Sequence, residues 1–338
     1  MIQELNGPHT TATRALHVLF CAGGVLLTVG LSLAQDNPLR AGTSRIEITP
    51  TVPVMLAGYE SRKELSRGVH DPLSARAVAF EQGSNHLVLV SIDSLGFYNG
   101  TAEPLRQAVL EACRLRPSEL FLCAIHTHSA PTLTLNPEKG HPNNVQYPEQ
   151  FIEKYLGAGV VAPGFAGASG NIDPWFRIAP GFNTTNGWIP EPVLLGTMLG
   201  EEVAQVLGRT QKSATSGPIK TAIKTLQLPR KKITDEEASA TESPASFVMT
   251  AACVGDIVFV GLGGEVFNEI GLAIKRASPF PHTFVFTHCN GAAGYVPTGP
   301  SYPEGGYEVQ SSPFAPGADE RLADEAKRML TDLRSAQD

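Results

Sequence analysis

The chain has 338 residues, 42% hydrophobic and 17% charged, with a formal net charge of -7. Such a composition supports a packed core and excludes wholesale disorder. No basic run occurs anywhere, which removes the clustered Lys and Arg that a nucleic-acid surface requires.

Residues 1–35 read as a targeting segment. Arg14 precedes an apolar stretch from Ala15 to Ala34, and Ser32-Leu33-Ala34 offers a small-x-small cleavage site. The same stretch is near spanning length, so it also reads as an uncleaved N-terminal anchor. Either way the rest of the chain is expected to be exported, periplasmic or secreted, with contact to a membrane surface left open. Residues 36–338 then form the working domain. Its four cysteines, Cys113, Cys123, Cys253 and Cys289, lack CxxC spacing, and three lie in apolar runs. They read as buried thiols rather than a disulfide framework.

Thr43–Thr49 is expected to be an opening strand ended by Pro50. Residues 73–80 and 86–92 read as a strand pair around Gln82-Gly83-Ser84-Asn85. Residues 102–115 carry Leu105, Val109, Leu110 and Cys113 at helical spacing, and 119–125 (ELFLCAI) form a short apolar strand. A second amphipathic helix is predicted over 193–208, and a polar surface loop over 227–245. Two apolar runs around Gly255-Asp256 within 247–260 signal a hairpin. A helix over 266–276, a strand over 283–287 and a charged helix over 317–334 complete the pattern. The alternation indicates an α/β fold, a layered sandwich of mixed β-sheets flanked by helices. The sequence shows no repeats and no Gly-rich phosphate loop before a helix.

Polar residues suited to catalysis fall where apolar runs end. His126 and His128 follow ELFLCAI, Glu265 follows DIVFVGLGG, and His288 and Tyr295 follow TFVFT. Asp93, Asn171 and Asp173 occupy similar positions. Strand ends gathered at one sheet edge are where α/β folds build sites. In an extended His126-Thr127-His128, both imidazoles would point to one face, and a neutral imidazole is a good zinc ligand. Each residue has a bland alternative: exposed strand-end histidines, Glu265 as a helix cap, Tyr295 and Tyr302 as loop aromatics.

The segment HTHSAP (126–131) resembles the HTHSGP signature of the neutral, non-lysosomal ceramidases. TSRIEITPTVPVMLAGYESR, GVHDPLSARAVAF, HLVLVSIDSLG, GASGNIDP, GGEVFNEIG and GYVPTGPSYPEGGYE resemble further segments of that family, in family order over about residues 43–335. The resemblance implies a zinc-dependent hydrolase of N-acyl amide bonds, acting on N-acyl sphingoid lipids or related amides. It implies His126, Glu265 and Tyr295 as zinc ligands, with His128 and Tyr302 orienting the amide carbonyl and stabilising the oxyanion. The pattern also departs from the family. A zinc-binding histidine and an arginine of the segment between HTHSAP and GASGNIDP have no match, and the chain reads as shortened near 157–160. His288, Asp93 and His141 are the candidate replacements, and nothing in the sequence selects among them. Asp173 stands where a proposed serine nucleophile would be, so water activated by a metal is the expected chemistry. The alternative reading is a catalytically impaired relative that acts as a lipid- or surface-binding domain.

Overall fold

A computed structural model describes residues 37–59, 62–138, 140–145, 147, 163–172, 197–202, 205–206, 217–231 and 244–336. The targeting segment, Asp173 and the junction near 157–160 lie outside the described residues.

Period-two patterning builds the first sheet. β1 (Arg40–Glu47), β2 (Ser74–Gln82) and β3 (Asn85–Ile92) pair antiparallel in chain order. The turn between β2 and β3 places Gly83 at φ 61°, a conformation glycine adopts without strain. Helix α1 (Ala102–Cys113) then crosses over and returns the chain as β4 (Leu120–Ala124), parallel to β3.

The second sheet repeats this plan. β5 (Ile219–Leu228), β6 (Ala245–Val254) and β7 (Ile257–Leu262) form an antiparallel meander. A short β8 (Glu265–Val266) and α2 (Asn268–Ala277) lead to β9 (His282–Phe286), parallel to β7. Each sheet is thus three antiparallel strands, a helical crossover and a parallel fourth strand. β10 (Tyr295–Val296) pairs in parallel with β8, and the short helices α3 (Ser301–Glu304) and α4 (Tyr307–Ser311) precede α5 (Ala318–Ser335).

Side-chain parity stacks these elements into four layers. Leu120, Leu122 and Ala124 of β4 face Leu105 and Leu110 of α1. Phe121 and Cys123, on the other side of β4, meet Ile219, Ala252, Val254 and Phe286 of the second sheet. The far face of that sheet packs Met249, Val260 and Leu262 against Ile270 and Ile274 of α2 and Leu322 and Leu330 of α5. The expected layered sandwich of mixed sheets flanked by helices is therefore present.

The chain segment after β9 stitches the two sheets together. Asn290 N–H donates to Leu122 O at 2.9 Å, and Ala124 N–H donates to His288 O at 3.2 Å. The Asn290 amide donates to Leu120 O (2.6 Å) and Thr250 Oγ1 (3.0 Å) and accepts from Leu122 N–H (3.0 Å). Asn290 is buried, so its polar groups are satisfied within the protein.

The sequence reading misses β5. Its lysines at 220 and 224 interrupt the apolar alternation, and the strand extends two residues, Gln227 and Leu228, into the span expected as loop. Of the helix expected over 193–208, residues 197–202 and 205–206 are described and helical. No helix among the described residues is long and apolar enough to cross a membrane.

Candidate metal centre

The repeated plan delivers one histidine from each sheet to the same place. His126 lies two residues beyond β4, and His288 lies two residues beyond β9. Both adopt left-handed backbone conformations, with φ 65° and 51°. That region is sparsely populated by non-glycine residues, and such strain clusters at functional sites. Their rings stack with centroids 4.2 Å apart at 12°. The left-handed turn at His126 replaces the extended run expected there, yet His128 still lies beside it. The His126 and His128 centroids are 5.4 Å apart and the rings nearly perpendicular.

Glu265 faces both histidines. Its Oε1 lies 3.5 Å from His126 Nε2, and its Oε2 lies 4.0 Å from His288 Nε2. Ligand atoms of the three side chains all fall within 4.8 Å of one another. Glu265 sits in β8 and does not cap α2. That role belongs to Asn171, whose Oδ1 accepts from Asn268 N–H at 2.7 Å. The parallel pairing of β8 with β10 puts Tyr295 opposite Glu265 in register, and the Tyr295 hydroxyl donates to the Glu265 carboxylate.

The electrostatics suit a cation. Burial pushes the Glu265 carboxyl up to about 7, against the Tyr295 hydrogen bond that favours its charge. No Lys or Arg pairs with it among the described residues. Burial, with the neighbouring His126, drives His288 down to about 3, and burial also lowers His126. Both imidazoles are therefore neutral near pH 7, as metal ligands must be. His126 Nδ1 is 2.7 Å from Leu95 O; donating there leaves the Nε2 lone pair toward Glu265. His288 Nε2 is buried and has no hydrogen-bond partner among the described residues. Two nitrogens and a carboxylate oxygen are a zinc donor set. Tetrahedral bonds of about 2.1 Å separate ligand atoms by roughly 3.4 Å, so a modest contraction would seat the ion.

Other candidates take different places. Asp93 is buried as a structural acceptor from Ser74 N–H (2.8 Å), Ser74 Oγ (2.9 Å) and Arg76 Nη1 (3.1 Å). His141 accepts from Asn143 N–H at 3.3 Å and lines a separate cavity with Met55 and Asn99. The Tyr302 hydroxyl donates to Phe314 O at 2.8 Å, and its ring packs against the α-side core beneath Lys231. Its contacts do not reach His126, His128 or Glu265. Tyr98, absent from the sequence reading, lies close enough that the Glu265 charge, after burial, raises its phenol above the ordinary range.

Gly58, Tyr59 and Arg62 brace His128. Tyr59 meets its ring edge-on with centroids 4.8 Å apart, and Arg62 Nη1 donates to His128 O at 2.9 Å. Gly58 has φ 103°, and a Cβ there would sit 2.3 Å from His128 Nδ1. Gly58→Ala should therefore displace the imidazole and destabilise the fold by about 1–3 kcal/mol. A shifted His128 ring resonance together with a lower urea midpoint would show it; an unchanged spectrum would refute it. Thr127 and Ser129, alternating with the histidines, line a cleft of about 960 Å³ together with Val54, Val69, Leu73 and Pro131.

No family model matches the sequence, and no curated protein matches it. Among the solved structures that share the architecture are two ceramidases. One is described as a ceramidase complexed with C2, at TM-score 0.67 and 13% identity over 89% of this chain and 76% of that one. The other is neutral ceramidase from Pseudomonas aeruginosa, at TM-score 0.65 and 16% identity over 89% and 75%. The chain has a ceramidase-like fold, and at the junction of its two sheets it carries two histidines and a glutamate able to hold a metal ion.

Proposed function

We propose that the protein is a zinc-dependent hydrolase of N-acyl amide bonds, with an N-acyl sphingoid lipid or related amide as substrate. The observation that carries this reading is the convergence of His126, Glu265 and His288 from three separate strand exits. The ceramidase-like fold supports the amide class. Export to the periplasm or exterior, by way of residues 1–35, would bring the enzyme to membrane lipids.

His126, Glu265 and His288 would hold the ion. Zinc bound there supplies Lewis acidity toward a carbonyl and lowers the pKa of water. Tyr295, expected from the family resemblance as a ligand, donates to Glu265 and so orients the carboxylate. His128, held by Gly58, Tyr59 and Arg62, would donate to the amide oxygen as negative charge develops on it. Tyr302 could join it only by giving up its bond to Phe314.

Zinc affinity should depend on pH through Glu265. Below its value of about 7 the carboxyl holds a proton that the cation must displace. His288, driven down to about 3, adds no such competition, and burial lowers the proton affinity of His126 as well. Affinity should rise about tenfold per pH unit up to about pH 7 and then level off. Competition titration against a chromophoric chelator reads this slope, and a flat profile would rule out Glu265 as a ligand.

The direct test is metal content after purification without chelator, with fatty-acid release from an N-acyl sphingosine. A second reading rests on Tyr302, whose hydroxyl is engaged away from the cluster. In that reading the domain binds lipid without turning it over. His126→Ala would then leave lipid binding unchanged, whereas the hydrolase reading requires loss of turnover.

A further inference from the structure

Cys123 and Cys289 face each other across the junction of the two sheets. They form an isolated antiparallel bridge, and both are fully buried thiols in hydrogen-bond contact. The flanking bonds, Asn290 N–H to Leu122 O and Ala124 N–H to His288 O, make theirs a non-hydrogen-bonded pair. Facing residues at such positions have Cα atoms about 4.5 Å apart and side chains projecting to one face. Disulfides accept Cα separations of about 4.4–6.8 Å. Room for the sulfurs exists because residue 261 is glycine; a Cβ there would lie 2.4 Å from Cys289 Sγ. The other described cysteines cannot compete in the fold. Cys253 packs in the α-side core, on the far face of the second sheet, and Cys113 is exposed at the end of α1.

We propose that Cys123 and Cys289 are a disulfide-forming pair that covalently joins the two sheets. The oxidant is a small-molecule disulfide of the glutathione disulfide class, acting on the chain before the sheets close over the thiols. The Cys123 thiolate attacks one sulfur of the oxidant and expels one glutathione thiolate. The Cys289 thiolate then attacks the Cys123 sulfur of the mixed disulfide and expels the second. Two electrons pass to the oxidant, and the two thiol protons leave on the released glutathiones or to water. The bond closes a loop of more than 160 residues (289 less 123), the kind of long loop for which restriction of the unfolded chain is greatest. It lies three residues before His126 and directly after His288.

The test uses the full chain, denatured and reduced, then refolded in a mixture of glutathione and glutathione disulfide. Remaining thiols are alkylated in acid and the protein is digested without reductant for mass spectrometry. The expected result is a Cys123 peptide joined to a Cys289 peptide, lighter by two hydrogens than their sum, with three of the five cysteines alkylated. The oxidised protein should also require more urea to unfold than the reduced protein. That difference should vanish in Cys123→Ala and Cys289→Ala and persist in Cys253→Ala. Five alkylated cysteines in protein with native circular dichroism, or a linkage between any other pair, would overturn the proposal. The peptide linkage is read in the unmutated chain, so the outcome does not depend on any variant folding.

Discussion

Glu265→Gln should lower zinc affinity about a thousand-fold and bring amide hydrolysis to background, while the protein stays folded. Apparent zinc binding in protein sites is of order 12 kcal/mol, so one of three protein ligands carries about 4 kcal/mol, or three powers of ten. Glutamine keeps the shape and can still accept from Tyr295, so the change isolates the charge that faces His126 and His288. His288→Ala should match it in zinc affinity. Glu265→Gln should move stability the other way. In the apo protein the Glu265 carboxyl sits at about 7 rather than 4.5. Between those values the native state holds a proton that the unfolded chain has released. Stability therefore falls as pH rises through that window, by about 3 kcal/mol in total. Above pH 7 apo Glu265→Gln should thus be more stable than the apo parent, by up to that amount. Metal content, turnover and urea midpoints at pH 5 and pH 8 test all three statements. Full zinc occupancy in the glutamine variant would end the metal-centre assignment.

Asn290→Ala should cost about 4 kcal/mol of folding free energy. The substitution strands Leu120 O, Leu122 N–H and Thr250 Oγ1, all of which the Asn290 amide satisfies in a fully buried setting. Buried polar groups left without partners cost about 1–3 kcal/mol each, reduced where neighbours relax. Alanine also dislikes the left-handed φ of 58° at this position, which asparagine tolerates. Asn290→Gly separates the two effects: it relieves the backbone term and should recover about 1 kcal/mol. Urea unfolding with an unchanged denaturant slope measures both. A loss below about 1 kcal/mol in the alanine variant would mean that the stitch between sheets carries little of the stability.

Much of the architecture is legible in the residues, because half-buried strands and amphipathic helices advertise their period. β2 and β3 meet at the glycine-containing turn expected of them, and α1, β4, β7 and α5 lie within a few residues of their predicted spans. β5 escapes because its lysines and threonines break the alternation. The repeated plan of the two sheets escapes because it is a likeness of topology. FLCAIHT and FVFTHCN share only an apolar strand followed by a histidine. That shared offset is the one signal that could have singled out His288 from Asp93 and His141. His126 and Glu265 stand out at strand exits, but their meeting depends on packing between sheets, which no local pattern encodes. Tyr98 depends on the same packing. For Tyr302 the resemblance expects a place at the carbonyl, while the fold gives its hydroxyl to Phe314.

His126 arrives from the first four-stranded sheet, His288 from the second, and Glu265 from the short β8–β10 pair that follows β7. Any fluctuation that parts the layers must also pull the chelating atoms asunder. An ion held there would act as a rivet, with its affinity and the breathing of the sandwich linked through a single equilibrium. Loosening the sandwich anywhere along the Leu120–Ala124 edge weakens the grip on the ion without touching a ligand, and removing the ion leaves that edge freer to open.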